Sequence, residues 1–380
     1  MRDNCGAIAA YARRMEGTQI DTGHMEPAQT APRPRHDIPS LDGLRAVSIA
    51  IVILSHTRAL WPARLVDAGL VRYVIGGGLH GVQIFFAISG YLITTLLLRE
   101  YEQRGDVSFR RFYARRALRI FPAFYVYFGV VALLCVAGVV AVHWPTYFAS
   151  ATYSFVYMPH PQGWYVEHAW SLSIEEQFYL LWPAVLVFAH RRGHSLHAVL
   201  GILAAMPFVR VLLALVVAAP ERILVSVSSI DMLMAGCLLA LLPTTDAWPT
   251  IMRRFSRGWI VVVCMMVGFV VVPYAGAKVV HGPAGLLTIA LGTTVVALAI
   301  VAMLVFVVTQ PQSMAGHFLN LRFMRHLGVL SYSLYLWQQL FTADPRRFGF
   351  AVYLLILGTG ELSFFLIERP ILRLRARLGV

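Results

Sequence analysis

Long apolar runs, each closed by a short polar segment, repeat along almost the whole of this chain. An amphipathic helix on a water-soluble core shows apolar positions every three or four residues, and a half-buried strand shows every second one. Here the apolar residues cover every face of the predicted helix for roughly twenty residues at a time, the length that spans a bilayer core of about 30 Å. Ten such stretches are predicted, over residues 44–60, 79–98, 121–142, 171–190, 196–218, 224–242, 258–274, 284–309, 327–343 and 348–368, the first and ninth being the weakest. Residues 150–158 form a shorter aromatic run with the character of a re-entrant segment.

Composition excludes the soluble alternative. Of 380 residues 58% are apolar and 13% charged, with mean hydropathy +0.67, whereas soluble domains carry roughly 25% charged residues. The expected fold class is an all-α integral membrane protein of about ten transmembrane helices. Residues 1–36 are polar, contain Pro27, Pro32 and Pro34, and lack apolar periodicity, which predicts a disordered cytoplasmic tail. The transmembrane domain is expected over residues 37–371, followed by a basic cytoplasmic tail at 372–380.

The net charge of +13 would suggest nucleic acid in a soluble protein. In a membrane protein it reads as topology. With the N-terminus inside, 24 of the 32 Lys and Arg fall on inner segments and 7 on outer ones, with Arg210 inside a span. By the positive-inside rule both termini are expected in the cytoplasm and the number of spans is even. No nucleic-acid partner is expected; membrane lipids are. Cys5, Cys135, Cys237 and Cys264 are too scattered for a metal site or a disulfide framework, so no metal is expected.

Ionisable residues inside spans are costly and mark the chemistry. Asp42 and Arg45 open the first stretch and His56 lies eleven residues after Arg45. Eleven residues fall about 20° short of whole turns, so Arg45 and His56 share one helix face about 16 Å apart along the axis. They can line one channel at two depths. His56 has the ordinary pKa range of a general base for a hydroxyl; the spacing alone equally allows a histidine that only bonds a neighbouring helix.

Seven arginines lie between Arg99 and Arg119. If their segment is helical, Arg115, Arg116 and Arg119 share one side at the membrane surface. Topology and lipid headgroups explain part of that charge; a cytoplasmic donor carrying several phosphates would use the rest. Further along, His168-Ala-Trp170-Ser171-Leu-Ser-Ile-Glu175-Glu176 brings two carboxylates into the start of a span, with Ser171, Glu175 and Tyr179 on one face. Helix capping accounts for one glutamate better than for both. Ser89-Gly90 reads either as small-residue helix packing or as part of a site. Tyr332 and Tyr335 lie in an aromatic, polar run that is either an interfacial belt or a cavity wall.

Taken in order, Leu-Asp42-Gly-Leu-Arg45 with His56, Phe-Phe-x-x-Ser89-Gly-Tyr, Arg115-Arg116-x-x-Arg119-Ile-x-Pro, Trp170-Ser171-Leu-Ser-x-Glu175-Glu176-Gln-Phe-Tyr and Ser-Tyr332-Ser-Leu-Tyr335-Leu-Trp resemble the acyltransferase-3 family of membrane acyltransferases, which includes lipopolysaccharide O-antigen O-acetylases and macrolide acyltransferases. The resemblance covers residues 38–371. It implies ten helices with cytoplasmic termini in a bacterial inner membrane. It also implies acyl-coenzyme A, most simply acetyl-coenzyme A, as co-substrate with no bound cofactor, and O-acylation of a hydroxyl on a glycan or glycosylated metabolite.

By the same resemblance His56 and Arg45 are essential, Arg116 and Arg119 with Arg115 and Ser89 serve the donor, and Glu175 belongs to an acidic motif. Asp42, Trp170, Ser171, Glu176, Tyr332 and Tyr335 are expected around the cavity. Many members end the Tyr-Leu-Trp motif with His where this chain has Gln338, which leaves His56 with fewer rivals as proton acceptor. The alternative is a transporter or flippase for a lipid-linked sugar, which would also use membrane arginines, carboxylates and a histidine. A scaffold without catalysis would leave the buried charges without a use.

Overall fold

The computed structural model describes residues 38–66, 68–69, 71–72, 76, 78–158, 161–217, 221–278 and 282–377. The expected tail over residues 1–36 lies outside the described residues, as do residues 378–380. Every regular element among the described residues is helical.

Ten long helices occur among them: α1 Pro39–His56, α2 Gly78–Arg104, α3 Phe109–Val136, α4 Ala169–Arg191, α5 Ser195–Val216, α6 Glu221–Leu241, α7 Gly258–Lys278, α8 Gly282–Thr309, α9 Arg322–Phe341, and α10, which opens as Ala351–Ser363 and continues through a π-helical turn Phe364–Glu368 into Arg369–Arg377. Eight are long and apolar enough to cross a membrane; α1 and α9 fall short. The reason is the polar cargo that makes them interesting: α1 carries Asp42, Arg45 and His56, and α9 carries Arg322, Arg325, His326 and two glutamines. The two pack against each other. The expected boundary at residue 371 falls within α10, and residues 150–158 are a short helix, Trp144–Ala151, and a 3-10 turn, Phe155–Tyr157.

One boundary changes the site. The third stretch was expected from residue 121, but α3 begins at Phe109, so Arg110 to Arg119 ride on the helix itself. The Ser108 side chain accepts from the Arg111 amide and caps it. The outer faces are apolar, with Phe208 77%, Leu215 66% and Leu354 73% exposed; surface this apolar suits lipid contact. Close backbone approach holds the inner helices. A Cβ on Gly90 of α2 would overlap the Leu233 carbonyl of α6, and one on Gly236 of α6 would overlap the Ala87 carbonyl of α2. In the same way Gly328 of α9 admits the Asp42 carbonyl of α1.

Candidate functional site

α1 sits between α2 and α9, and this places its Arg45–His56 face inside the bundle. Three cavities follow one another along that face. The largest, about 510 Å³, is lined by Arg45, Arg99, Arg104, Arg115, Arg116 and Arg119, with Asp42 and Glu100 as its acids. A narrower one of about 110 Å³ shares Arg45, Ser89, Arg116, Arg119 and Tyr179 with it and adds Ser171, Glu175, Tyr332 and Tyr335. The third, about 300 Å³, shares Val82 and Tyr335 with the second and contains His56. Shared walls set the three cavities side by side, from the arginines to the histidine.

At the wide end the arginines are unevenly neutralised. Arg115 is paired with Glu100 at 2.9 Å, and Arg104 lies 3.8 Å from the same carboxylate. Arg45 holds Asp42 at 3.2 Å. No carboxylate lies within ion-pair distance of Arg116 or Arg119 among the described residues. The Arg116 guanidinium lies 3.6 Å over the Tyr179 ring, and its Nε has no hydrogen-bond partner. Two guanidinium groups left open on a cavity wall are suited to phosphate oxygens.

In the middle, Glu175 collects hydrogen bonds from the Ser89 hydroxyl and, at 2.9 Å, from the Tyr179 hydroxyl. Ser171 and Tyr335 hydroxyls meet at 2.7 Å, and Tyr332 donates to the Ile120 carbonyl at 2.9 Å. The Ser89-Gly90 pair thus divides its labour: the glycine packs helices and the serine faces the site. Of the expected residues, Glu176 lines none of the three cavities, because one step along a helix turns a side chain by about 100°.

At the far end His56 Nδ1 lies 2.8 Å from Gln338 Oε1, and its ring meets Trp164 edge-on at 5.1 Å. Glu167, His168, Trp170 and Gln339 complete that wall. His168 is 3% exposed and neither of its ring nitrogens has a hydrogen-bond partner. Sequence reasoning passed over Trp164 and Glu167, named His168 only as the start of a motif, and noted Gln338 only where the family has His, without placing any of them beside His56. Polar residues in an apolar run were the available signal, but the partners of Gln338 and Gln339 lie 282 and 175 residues away.

A family model described as an acyltransferase domain matches residues 38–367. The chain is 29% identical to the putative peptidoglycan O-acetyltransferase YrhL of Bacillus subtilis, over 88% of this chain and 55% of that protein. It is 28% identical to the peptidoglycan O-acetyltransferase OatA of Listeria monocytogenes, over 80% of this chain and 49% of the relative. To the O-acetyltransferase OatA of Staphylococcus aureus it is 26% identical, over 93% and 60%. The chain spans about half the length of these relatives. No solved structure matches.

Proposed function

The chain belongs to the acyltransferase-3 family, and from that footing we propose a multi-pass membrane O-acyltransferase that moves an acetyl group from acetyl-coenzyme A to a hydroxyl of a cell-envelope glycan. The observation that carries this reading is the row of three adjoining cavities, which share wall residues and run from an open arginine cluster to a histidine.

The donor's phosphates sit against Arg116, Arg119 and Arg45 in the wide cavity. That end faces the cytoplasm, in keeping with the 24-to-7 partition of basic residues when both termini are inside. All ten long helices, α1 and α9 included, then count as spans of a bacterial inner membrane. The acyl-bearing arm passes Ser89, Glu175 and Tyr335 through the narrow cavity. Glu175, by holding the Ser89 and Tyr179 hydroxyls, keeps that passage polar and shaped.

In the third cavity the acceptor lies against Trp164 and Trp170, with the Glu167 carboxylate available to its hydroxyls. His56 takes the proton of the attacking hydroxyl as its oxygen bonds to the thioester carbon, and the proton passes to the departing thiolate. The Tyr335 hydroxyl, on the wall shared with the narrow cavity, stabilises the negative oxygen between. The relatives' names support a glycan acceptor and peptidoglycan as the first one to try; they do not favour the transporter reading.

Membranes containing the chain, supplied with labelled acetyl-coenzyme A and peptidoglycan fragments, are expected to form alkali-labile ester on the glycan. Free coenzyme A without labelled glycan would move the acceptor to a small metabolite. No donor consumption with any glycan or acyl thioester would overturn the reading.

A further inference from the structure

We propose that Gln338 and Gln339 form a two-amide relay that fixes the tautomer of His56, with hydrogen on Nδ1 and the lone pair on Nε2. The direction of every hydrogen bond follows from one anchor. The Trp164 backbone carbonyl can only accept. Gln339 lies against it at 2.6 Å, so its Nε2 points there. Gln339 Oε1 is thereby turned to Gln338 and accepts from its Nε2 at 2.8 Å. Gln338 Oε1 is then the atom that faces His56 Nδ1 at 2.8 Å. An amide oxygen cannot donate, so Nδ1 carries the hydrogen and a neutral ring keeps its lone pair on Nε2.

Turning either amide over would set oxygen against oxygen or NH2 against NH2. The orientation is therefore decided by the chain as a whole rather than one residue at a time. Gln338 and Gln339 are 0% and 1% exposed, which leaves no bulk water to repair a mismatch. The Thr342 hydroxyl shares its hydrogen between the Gln338 backbone carbonyl at 2.9 Å and the same Gln338 Oε1 at 3.1 Å. Trp164 closes the circuit: its Nε1 donates to the Gln339 backbone carbonyl at 3.1 Å, while its ring meets His56.

The relay gives a role to two buried amides that helix packing alone does not need. A histidine that takes a proton from a hydroxyl must present its lone pair to the substrate, and His56 lines the cavity where the acceptor is proposed to sit. Gln338 and Gln339 are positioning residues, and their effect on turnover rests on the functional reading above. Their effect on the tautomer does not.

The test is nitrogen NMR of the full chain, labelled with 15N-histidine, in nanodiscs at alkaline pH, with the His56 signals identified by subtraction of a His56→Gln spectrum. Wild type is expected to show a protonated Nδ1 and an unprotonated Nε2. Gln338→Glu loses the bond to Gln339 Oε1, but its ionised carboxylate can only accept from Nδ1 at alkaline pH, so it should keep the His56 pattern and retain more turnover than Gln338→Leu. Gln339→Leu and Gln338→Leu should give mixed tautomers and lower kcat roughly 10- to 100-fold, with the KM for acetyl-coenzyme A within about 3-fold of wild type. Hydrogen on Nε2 in the wild-type protein, which needs no variant to fold, would overturn the relay. So would an unchanged tautomer in folded Gln339→Leu. The expected spectra from a protein that consumes no acyl donor would uphold the relay and overturn the enzyme reading instead.

Discussion

The arginine in the middle of α5 and the arginines at the start of α3 carry the same charge into the same apolar body and meet opposite surroundings. Arg210 is 1% exposed and its partner Asp231 0%. It gives one hydrogen bond to Asp231 at 2.7 Å, another to Thr294 at 2.7 Å, and others to the Ile289 and Ala290 carbonyls of α8. Neither residue lines any of the three cavities. Arg116 and Arg119 line two cavities and face no carboxylate at ion-pair distance among the described residues. An ionisable group inside a membrane protein is a functional candidate by default. The contrast refines that rule: a charge whose bonds are filled by neighbouring helices holds those helices together, and a charge left open to a cavity waits for a ligand.

That contrast can be broken in four places. Asp231→Ala leaves the Arg210 charge buried without its counter-ion, which costs about 3–5 kcal/mol. Thermal unfolding in detergent should show the loss, while turnover per folded molecule stays within about 3-fold of wild type. Arg119→Ala should do the reverse: unchanged thermal stability and a fall in kcat/KM for acetyl-coenzyme A of roughly 10- to 100-fold, the range of one lost charge-assisted hydrogen bond. Glu175→Gln keeps an acceptor for Ser89 and Tyr179 but removes the charge, and should lower kcat by roughly 3- to 10-fold. Arg110→Gln removes charge from the same helix but not from a cavity wall, and should change donor kinetics by less than about 2-fold. A large effect at Arg110 would mean that total basic charge, rather than open cavity arginines, recruits the donor.

Much of the architecture was legible because it rests on local rules. Length and apolarity marked eight of the ten long helices clearly and α1 and α9 only weakly, and the 11-residue interval between Arg45 and His56 placed both on one face of α1. The same logic brought Ser171, Glu175 and Tyr179 to one cavity. The helical start of α3 was legible only as one of two readings because Arg110 to Arg119 look like a loop on a hydropathy scale, although Ser108 is a sound cap. Long-range partnerships were out of reach. Nothing in periodicity says that Gln338 on α9 will meet His56 on α1, or that Glu100 will neutralise Arg115 but not Arg116 or Arg119. Asp231 and Arg210 could each be singled out as polar residues in apolar runs, but their ion pair, away from the three cavities, exists only in the packed bundle.

The claim at the centre is that donor binding at the arginines and proton transfer at His56 are two ends of one route. Proteoliposomes with the chain in a single known orientation test it directly, with labelled acetyl-coenzyme A confined to one side and peptidoglycan fragments on the other. Ester should form only when the donor is on the arginine side, and His56→Ala should abolish it while leaving donor binding intact. Equal ester formation with the donor on the His56 side, or normal turnover by His56→Ala, would contradict the account.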